Sequence, residues 1–412
     1  MSIKETKTQH NTMGNSKSLF FLIIFTVLIS FSSAQGTVKG GYWYSDSGLD
    51  VSDIDSSYFT HLFCAFADLD TQTSQVTISS SNEPSFSTFT QTVQQNNPSV
   101  KTLLSIGGGG GPSLAANFAG MASQASTRKS FIDSSIQVAR NYNFHGLDLD
   151  WEYPSNDTDK TNFGLLLNEW RSAITQESTT SGNSALLLTA AVSGSNQISL
   201  LEYYPAQDIA NNFDWVNIMV YDLFTPGGYS TQTQPPAPLK NPQGQFSGEE
   251  GIASWIQLGV PANKLAIGLP FYGYAWNLVN ANDHGLFATA NGADTDVTSS
   301  GDGSIGYGDI REFINTQSGV QCVYNSTFVT DYCYSGTTWI GYDDTQSISA
   351  KVTYAKDNGL VGYFAWQIGS DDSWTLSKTE NYAIRNIQLL MLGDHRYISE
   401  DQKLSSKTDA II

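Results

Sequence analysis

Positive charge is scarce in this chain. Its 412 residues hold 20 Lys and Arg against 39 Asp and Glu, a formal net charge of −19. Phosphate backbones and anionic membrane surfaces are bound through Lys and Arg, so nucleic acid and anionic membranes are excluded as partners. Uncharged ligands such as sugars are not excluded. Cysteine is nearly absent: Cys64, Cys322 and Cys333 are the only three, room for one intramolecular bridge at most. The five histidines are scattered without metal-ligand spacing, so neither metal nor cofactor is expected. No Gly-x-Ser-x-Gly elbow occurs, which argues against a serine hydrolase.

Long apolar runs are missing too, with one exception. Lys4, Lys7 and Lys17 precede an apolar run over 19–31, followed by Ser32-Ser33-Ala34. That order describes a secretory signal peptide over 1–34. The run is short for a membrane span, and no later stretch is long enough for one. The mature chain is therefore expected to be secreted, soluble, free of the membrane after signal cleavage, and monomeric. Secretion permits disulfides. Cys322 and Cys333 lie in one aromatic, strand-like segment, close enough to bridge a hairpin, whereas Cys64 reads as a buried free thiol. Sequons for N-glycosylation stand at Asn156 and Asn325. Asn156 comes just after an acidic strand, where a glycan would obstruct substrate. The tail over 386–412 ends polar and charged, and as a sorting signal it would send the protein to the vacuole rather than outside the cell.

Short apolar runs recur between helical patterns. Strands are expected over 38–44, 61–68, 101–107, 146–152, 186–192, 215–221, 264–270 and 362–366. Helical spacing joins Phe163, Leu167, Trp170 and Ile174; Ile132, Ile136 and Ala139; Ile252, Trp255 and Ile256; and Ile348, Val352 and Ala355. Eight strands alternating with helices predict the α/β class and a (β/α)8 TIM barrel over 36–385. The interval of about 272–344 breaks the rhythm and reads as a small α+β insertion after the seventh strand. Within it, the glycine pattern over 301–306 lacks a preceding apolar strand and is read as a turn.

The richest stretch is Gly146-Leu147-Asp148-Leu149-Asp150-Trp151-Glu152-Tyr153-Pro154. Side chains alternate faces along a strand, so Asp148, Asp150 and Glu152 point one way and the apolar set the other. Three acids on one face cannot all ionise in a low-dielectric site, and at least one proton is shared. A solvated edge strand would also carry acids. It gives no reason for the apolar alternation or for an aromatic before the last acid. Active sites of such barrels collect at the C-terminal ends of the strands. Glu152, Tyr221, Asp222 and Trp366 fall there, with Tyr42 and Phe66 late in the first two strands. Acids ringed by aromatics suit a sugar, whose C–H faces stack on rings and whose hydroxyls need acceptors.

The acidic run resembles the Asp-x-x-Asp-x-Asp-x-Glu signature of glycoside hydrolase family 18, the chitinases, closest to the plant class V branch. Ser105-Ile106-Gly107-Gly108, Met219-Val220-Tyr221-Asp222, Gly268-Leu269-Pro270-Phe271-Tyr272-Gly273 and Tyr363-Phe364-Ala365-Trp366 also match, in order. The resemblance implies hydrolysis of β-1,4-linked N-acetylglucosamine, in chitin or its oligosaccharides, with the substrate's acetamido group as nucleophile and retention of configuration. Glu152 would be the general acid and base. Asp150 would hold the acetamide N–H, Asp148 would share a proton with Asp150, and Tyr221 would orient the acetamide oxygen. Met219, Asp222, Trp366, Tyr42 and Phe66 would line the substrate pocket. The signature's first Asp is His145 here, outside the acid face, so a structural effect is expected. The alternatives are a chitin-binding lectin or inhibitor on the same barrel, for which Asp150 and Glu152 would be superfluous, and a hydrolase of lipo-chitooligosaccharide signals.

Overall fold

The computed structural model describes residues 37–383 apart from 197, 245, 299 and 382; the leader over 1–34 and the tail over 386–412 lie outside the described residues. Eight parallel strands close on themselves. β1 (Val38–Tyr44) and β2 (His61–Leu69) come first, with a two-residue β3 (Val76–Thr77) hairpinned onto β2. β4 (Lys101–Gly107), β5 (Gly146–Asp150), β6 (Leu187–Ser193), β7 (Trp215–Met219) and β8 (Leu265–Pro270) follow. Six further strands, β9 (Tyr272–Leu278), β10 (Ala290–Ala293), β11 (Ser304–Gly306), β12 (Gln321–Asn325), β13 (Thr330–Ser335) and β14 (Thr338–Tyr342), precede the last barrel strand, β15 (Gly362–Trp366). β1 pairs in parallel with both β2 and β15, which closes the barrel. The described helices are α1 (Glu83–Asn96), α2 (Gly111–Ala122), α3 (Ala125–Asn141), α4 (Asp157–Ser181), α5 (Ala206–Asn212), α6 (Gly248–Gln257), α7 (Tyr307–Thr316) and α8 (Thr345–Asp357). This is the expected (β/α)8 barrel. Among the described residues no helix is long and apolar enough to cross a membrane.

The strands read as apolar runs because both of their faces are covered. Leu104, Ile106, Leu147, Leu149 and Trp151 pack outward with the helices. The inward set alternates with them. Tyr42, Phe63 and Phe364 share the interior with Ala191 and Ala266, and fully buried polar side chains, Ser105, Asp148, Thr189 and Asn217, complete it. Two glycines make the upper end of the barrel possible. A Cβ on Gly268 would lie 2.7 Å from the Tyr221 ring. Gly107 has φ +113°, and a Cβ there would come within 2.2 Å of the Asp150 carbonyl oxygen.

Three sequence expectations need correction. β5 ends at Asp150 and β7 at Met219, so Glu152, Tyr221 and Asp222 lie two or three residues past the strands rather than within them. The ladder stops because the chain turns outward into the loops that carry the site. Ile256 does not share the buried face of α6: Ile252 and Trp255 are buried, while Ile256 is 43% exposed. Gly248, Gly251, Ile252 and Trp255 set the buried arc, and Ile256, about 100° round the helix from Trp255, falls at its edge.

Between β8 and β15 lies a separate antiparallel sheet, ordered β10-β9-β14-β13-β12 with β11 on β9, together with α7. The 301–306 glycine pattern passes through a turn, with Gly303 at φ +86°, into β11. Cys322 and Cys333 are register partners of the β12–β13 hairpin with Cα atoms 4.1 Å apart, and they are bridged. Cys64 is a buried free thiol. The bridge spans 11 residues, for which loop-closure entropy gives about 3 kcal/mol. Cys322→Ser is expected to lower the first transition in thermal unfolding and to leave kcat unchanged, because the hairpin lies outside the barrel; an equal loss of kcat would show that the hairpin reaches the site.

His145 sits at the opening of β5, at the end of the barrel away from the acids. Its Nδ1 accepts the Thr102 N–H at 3.1 Å. A carboxylate at this position would offer the same lone pair, so the imidazole replaces the signature Asp as an acceptor. Burial and the nearby Lys101 charge hold the ring below the usual histidine range, which keeps that lone pair free. His145→Leu leaves the amide unpaired and is expected to cost about 1–3 kcal/mol in denaturant titration. Turnover should not change, since the residue is remote from the acids.

Candidate active site

Asp148 is the anchor of the site. It is fully buried. Three hydroxyls donate to it: Tyr42 Oη at 2.8 Å and Ser105 Oγ at 2.7 Å to Oδ2, and Thr189 Oγ1 at 2.6 Å to Oδ1. Tyr42 is held in turn by Asn217 Nδ2 at 2.8 Å, and Asn217 by Trp215 Nε1 at 3.0 Å. Burial holds the Asp148 pKa above the ordinary carboxylate range, and the three donors lower it only in part. A carboxylate with that many hydroxyl donors is satisfied as an anion.

Asp150 is the opposite case. It is 4% exposed, and its Oδ1 has no hydrogen-bond partner. Burial, Glu152 and the Asp148 charge push its pKa well above the carboxylate range. It hydrogen-bonds Glu152 in a sense that raises Asp150 and lowers Glu152. Asp150 and Glu152 are both held above the ordinary carboxylate range and share a proton as a pair. The sequence expectation paired Asp150 with Asp148, whose charge is also among the causes that raise Asp150. Glu152 is raised by burial and by Asp222, and Tyr153 donates to it.

A cavity of about 370 Å³ opens at the C-terminal end of the barrel. It is lined by Tyr42, Phe66, Asp150, Glu152, Met219, Tyr221, Asp222 and Trp366, with Gly109, Tyr153, Ala191 and Ile198. Every candidate catalytic and substrate-binding residue except Asp148 thus lines one space, and Asp148 lies directly behind it. Tyr42 lines the cavity with its ring and gives its hydroxyl to Asp148. Trp366 packs edge-on to Tyr42 at 5.6 Å and tilted against Phe66 at 5.7 Å. Asp222, at φ +57°, accepts from Tyr272 Oη at 2.5 Å and Tyr274 Oη at 2.8 Å. No Lys or Arg lines the cavity. Among the described residues no cluster of His, Cys, Asp and Glu is placed to hold a metal.

The cavity continues on both sides. One arm, of about 810 Å³, shares Gly109, Glu152, Tyr153 and Ile198 with it and runs along α2. The other, of about 890 Å³, shares Asp222 and Trp366 and runs along the insertion. Sequence reading missed Ser105, Thr189 and Asn217 as partners of Asp148 and Tyr42, and Tyr272 and Tyr274 as partners of Asp222. The period-two spacing of Tyr272 and Tyr274 was a usable signal. The others are separated by 41 to 175 residues and left none.

A closed barrel with a buried acid pair at the mouth of an aromatic groove, open at both ends, defines a carbohydrate-active enzyme fold. Residues 38–371 match the model of the glycosyl hydrolases family 18. The chain belongs to that family. It is 57% identical over 368 residues to a class V chitinase of Arabidopsis thaliana, covering 89% of this chain and 94% of that protein. Among solved structures, a class V chitinase mutant from Nicotiana tobaccum in complex with NAG4 is 54% identical with a TM-score of 0.81, covering 84% of this chain and 99% of that one. A chitinase-like agglutinin, RobpsCRA, from Robinia pseudoacacia is 64% identical with a TM-score of 0.80, at the same coverage.

Proposed function

We propose that the protein is a chitinase that cleaves β-1,4-linked N-acetylglucosamine with retention of configuration, using the substrate's acetamido group as nucleophile. The observation that carries this is the placement of Asp150 and Glu152, two residues apart on one face of the barrel mouth and lining one cavity, with Asp150 Oδ1 buried and unpartnered. Two-carboxylate glycosidases hold their acids about 5–5.5 Å apart for retention or about 6.5–9.5 Å apart for inversion, with the sugar between them. Acids that follow one another along a single strand end, close enough to titrate together, sit side by side rather than on the two faces of a sugar, which favours a nucleophile from elsewhere. An acetamide supplies it.

The residues then divide the work. Glu152 protonates the glycosidic oxygen and later activates water. As it takes up the shared proton, Asp150 becomes anionic, and its unpartnered Oδ1 accepts the acetamide N–H. That charge also stabilises the oxazolinium ion, in a cavity that holds no cation to oppose it. Tyr221 directs the acetamide oxygen at the anomeric carbon. Asp148, satisfied by its three hydroxyls, stays charged behind the pair. The sugar that reacts sits over Trp366. Its leaving group lies beyond Glu152, in the arm along α2.

The agglutinin relative supports a second reading, a chitin-binding lectin. The intact Asp150–Glu152 pair speaks against it, because binding alone has no use for a buried, proton-sharing acid. Product analysis on N-acetylglucosamine hexamer separates the two. The hydrolase gives short oligomers that are initially β-anomeric, while hexamer bound but intact overturns it in favour of the lectin.

A further inference from the structure

We propose that Asn156 carries an N-linked glycan that stands over the leaving-group arm of the cleft and restricts that arm to short saccharides. The sequon Asn156-Asp157-Thr158 follows the acidic loop by two residues, and the leader over 1–34 predicts the secretory route on which such sites are modified. Asn156 is exposed. Ser155, Asn156 and Asp159 all line the arm that begins at Glu152.

The local geometry accepts the modification. Asn156 is the N-cap of α4: its Oδ1 accepts the N–H groups of Thr158 at 2.9 Å and Asp159 at 3.0 Å. Its Nδ2 donates to Asp159 Oδ2 at 2.9 Å and to Ser155 Oγ at 3.3 Å. In the transfer, Nδ2 bonds to the anomeric carbon of a lipid-linked oligosaccharyl pyrophosphate. The pyrophosphate leaves with the bonding pair, and one Nδ2 proton goes to a base of the transferase. One N–H and the whole of Oδ1 remain. The cap survives, one of the two Nδ2 contacts survives, and the other is replaced by the sugar. Since Ser155, Asn156 and Asp159 all line the arm, a sugar on Nδ2 stands at its mouth. The second sequon, at Asn325 in the insertion, lines neither the cavity nor either arm, and serves as an internal control.

Occupancy of Asn156 stands on the sequon and its exposure; the effect on products rests on the chitinase reading. The test uses the full chain secreted from a eukaryotic host. Thr158→Ala removes the sequon but keeps Asn156 and its backbone cap; Thr158→Ser keeps the sequon; Thr327→Ala removes the control. Peptide mass should show a glycan at 156 in the wild type and Thr158→Ser only. Thr158→Ala should cleave hexamer with kcat/KM raised about tenfold, the equivalent of about 1.4 kcal/mol, and should release longer leaving-group fragments. Its rate on a short aryl glycoside, and all rates in Thr327→Ala, should stay at the wild-type value. An unmodified Asn156 overturns the proposal. A glycan there with the same hexamer rate and products in Thr158→Ala overturns its gating role. Inactivity of every protein on the aryl glycoside overturns the chitinase reading, and the gating role with it.

Discussion

Glu152→Gln is expected to lower kcat on N-acetylglucosamine hexamer by about 10²–10⁴-fold, the range for loss of a general acid–base group. Hexamer affinity should be retained, because Gln keeps the volume and a polar contact at the boundary between cavity and arm. The loss should depend on the leaving group. An aryl alcohol departs without a proton, so formation of the oxazolinium ion from an aryl glycoside should fall much less than cleavage between two sugars. Water still has to be deprotonated, so the second half of the reaction stays slow, and the burst of aryl alcohol should exceed steady turnover. A purely structural role for Glu152 would reduce both substrates equally and weaken hexamer binding, and wild-type turnover in the variant would end the mechanism.

The acid pair also shows where a sequence stops being legible. Period two along 146–152 was enough to place three acids on one face, and the apolar strands were visible because a barrel strand is buried on both sides. The order in which the protons are held was not visible. It depends on Tyr42, Ser105 and Thr189, which reach Asp148 from β1, β4 and β6 across separations of 106, 43 and 41 residues. Nothing local to those strands marks a hydroxyl as a donor to a particular carboxylate. The same holds for the cleft arms, assembled from α2 and the 198–203 segment on one side and from the insertion on the other. Helix faces are harder still: Ile256 carries the right residue type at the wrong angle beside Trp255.

Asp150→Asn is expected to lower kcat by about 10²–10³-fold, the range for removing one preorganised electrostatic contact to a developing charge. Two further readouts tie the effect to the shared proton. The first is the pH profile. Asp150 and Glu152 are both held above the ordinary carboxylate range, and turnover requires one proton between them, so activity is lost as pH rises through the pair's apparent pKa. An Asn at 150 carries no charge to repel a Glu152 anion and offers that anion an N–H. Glu152 then releases its proton earlier, and the alkaline limb of kcat/KM moves to lower pH. The second is stability. A carboxyl raised in the fold binds a proton that the unfolded chain has already released, so its favourable contribution is complete below the unfolded pKa and is lost as pH rises through the folded one. Removing Asp150 should therefore raise Tm more at about pH 7 than at about pH 4, the range over which unfolded carboxyls have titrated. A variant with low kcat, an unmoved alkaline limb and the same Tm change at both pH values would mean that Asp150 acts only through its contact with substrate, and that the proton in this site is held by Glu152 alone.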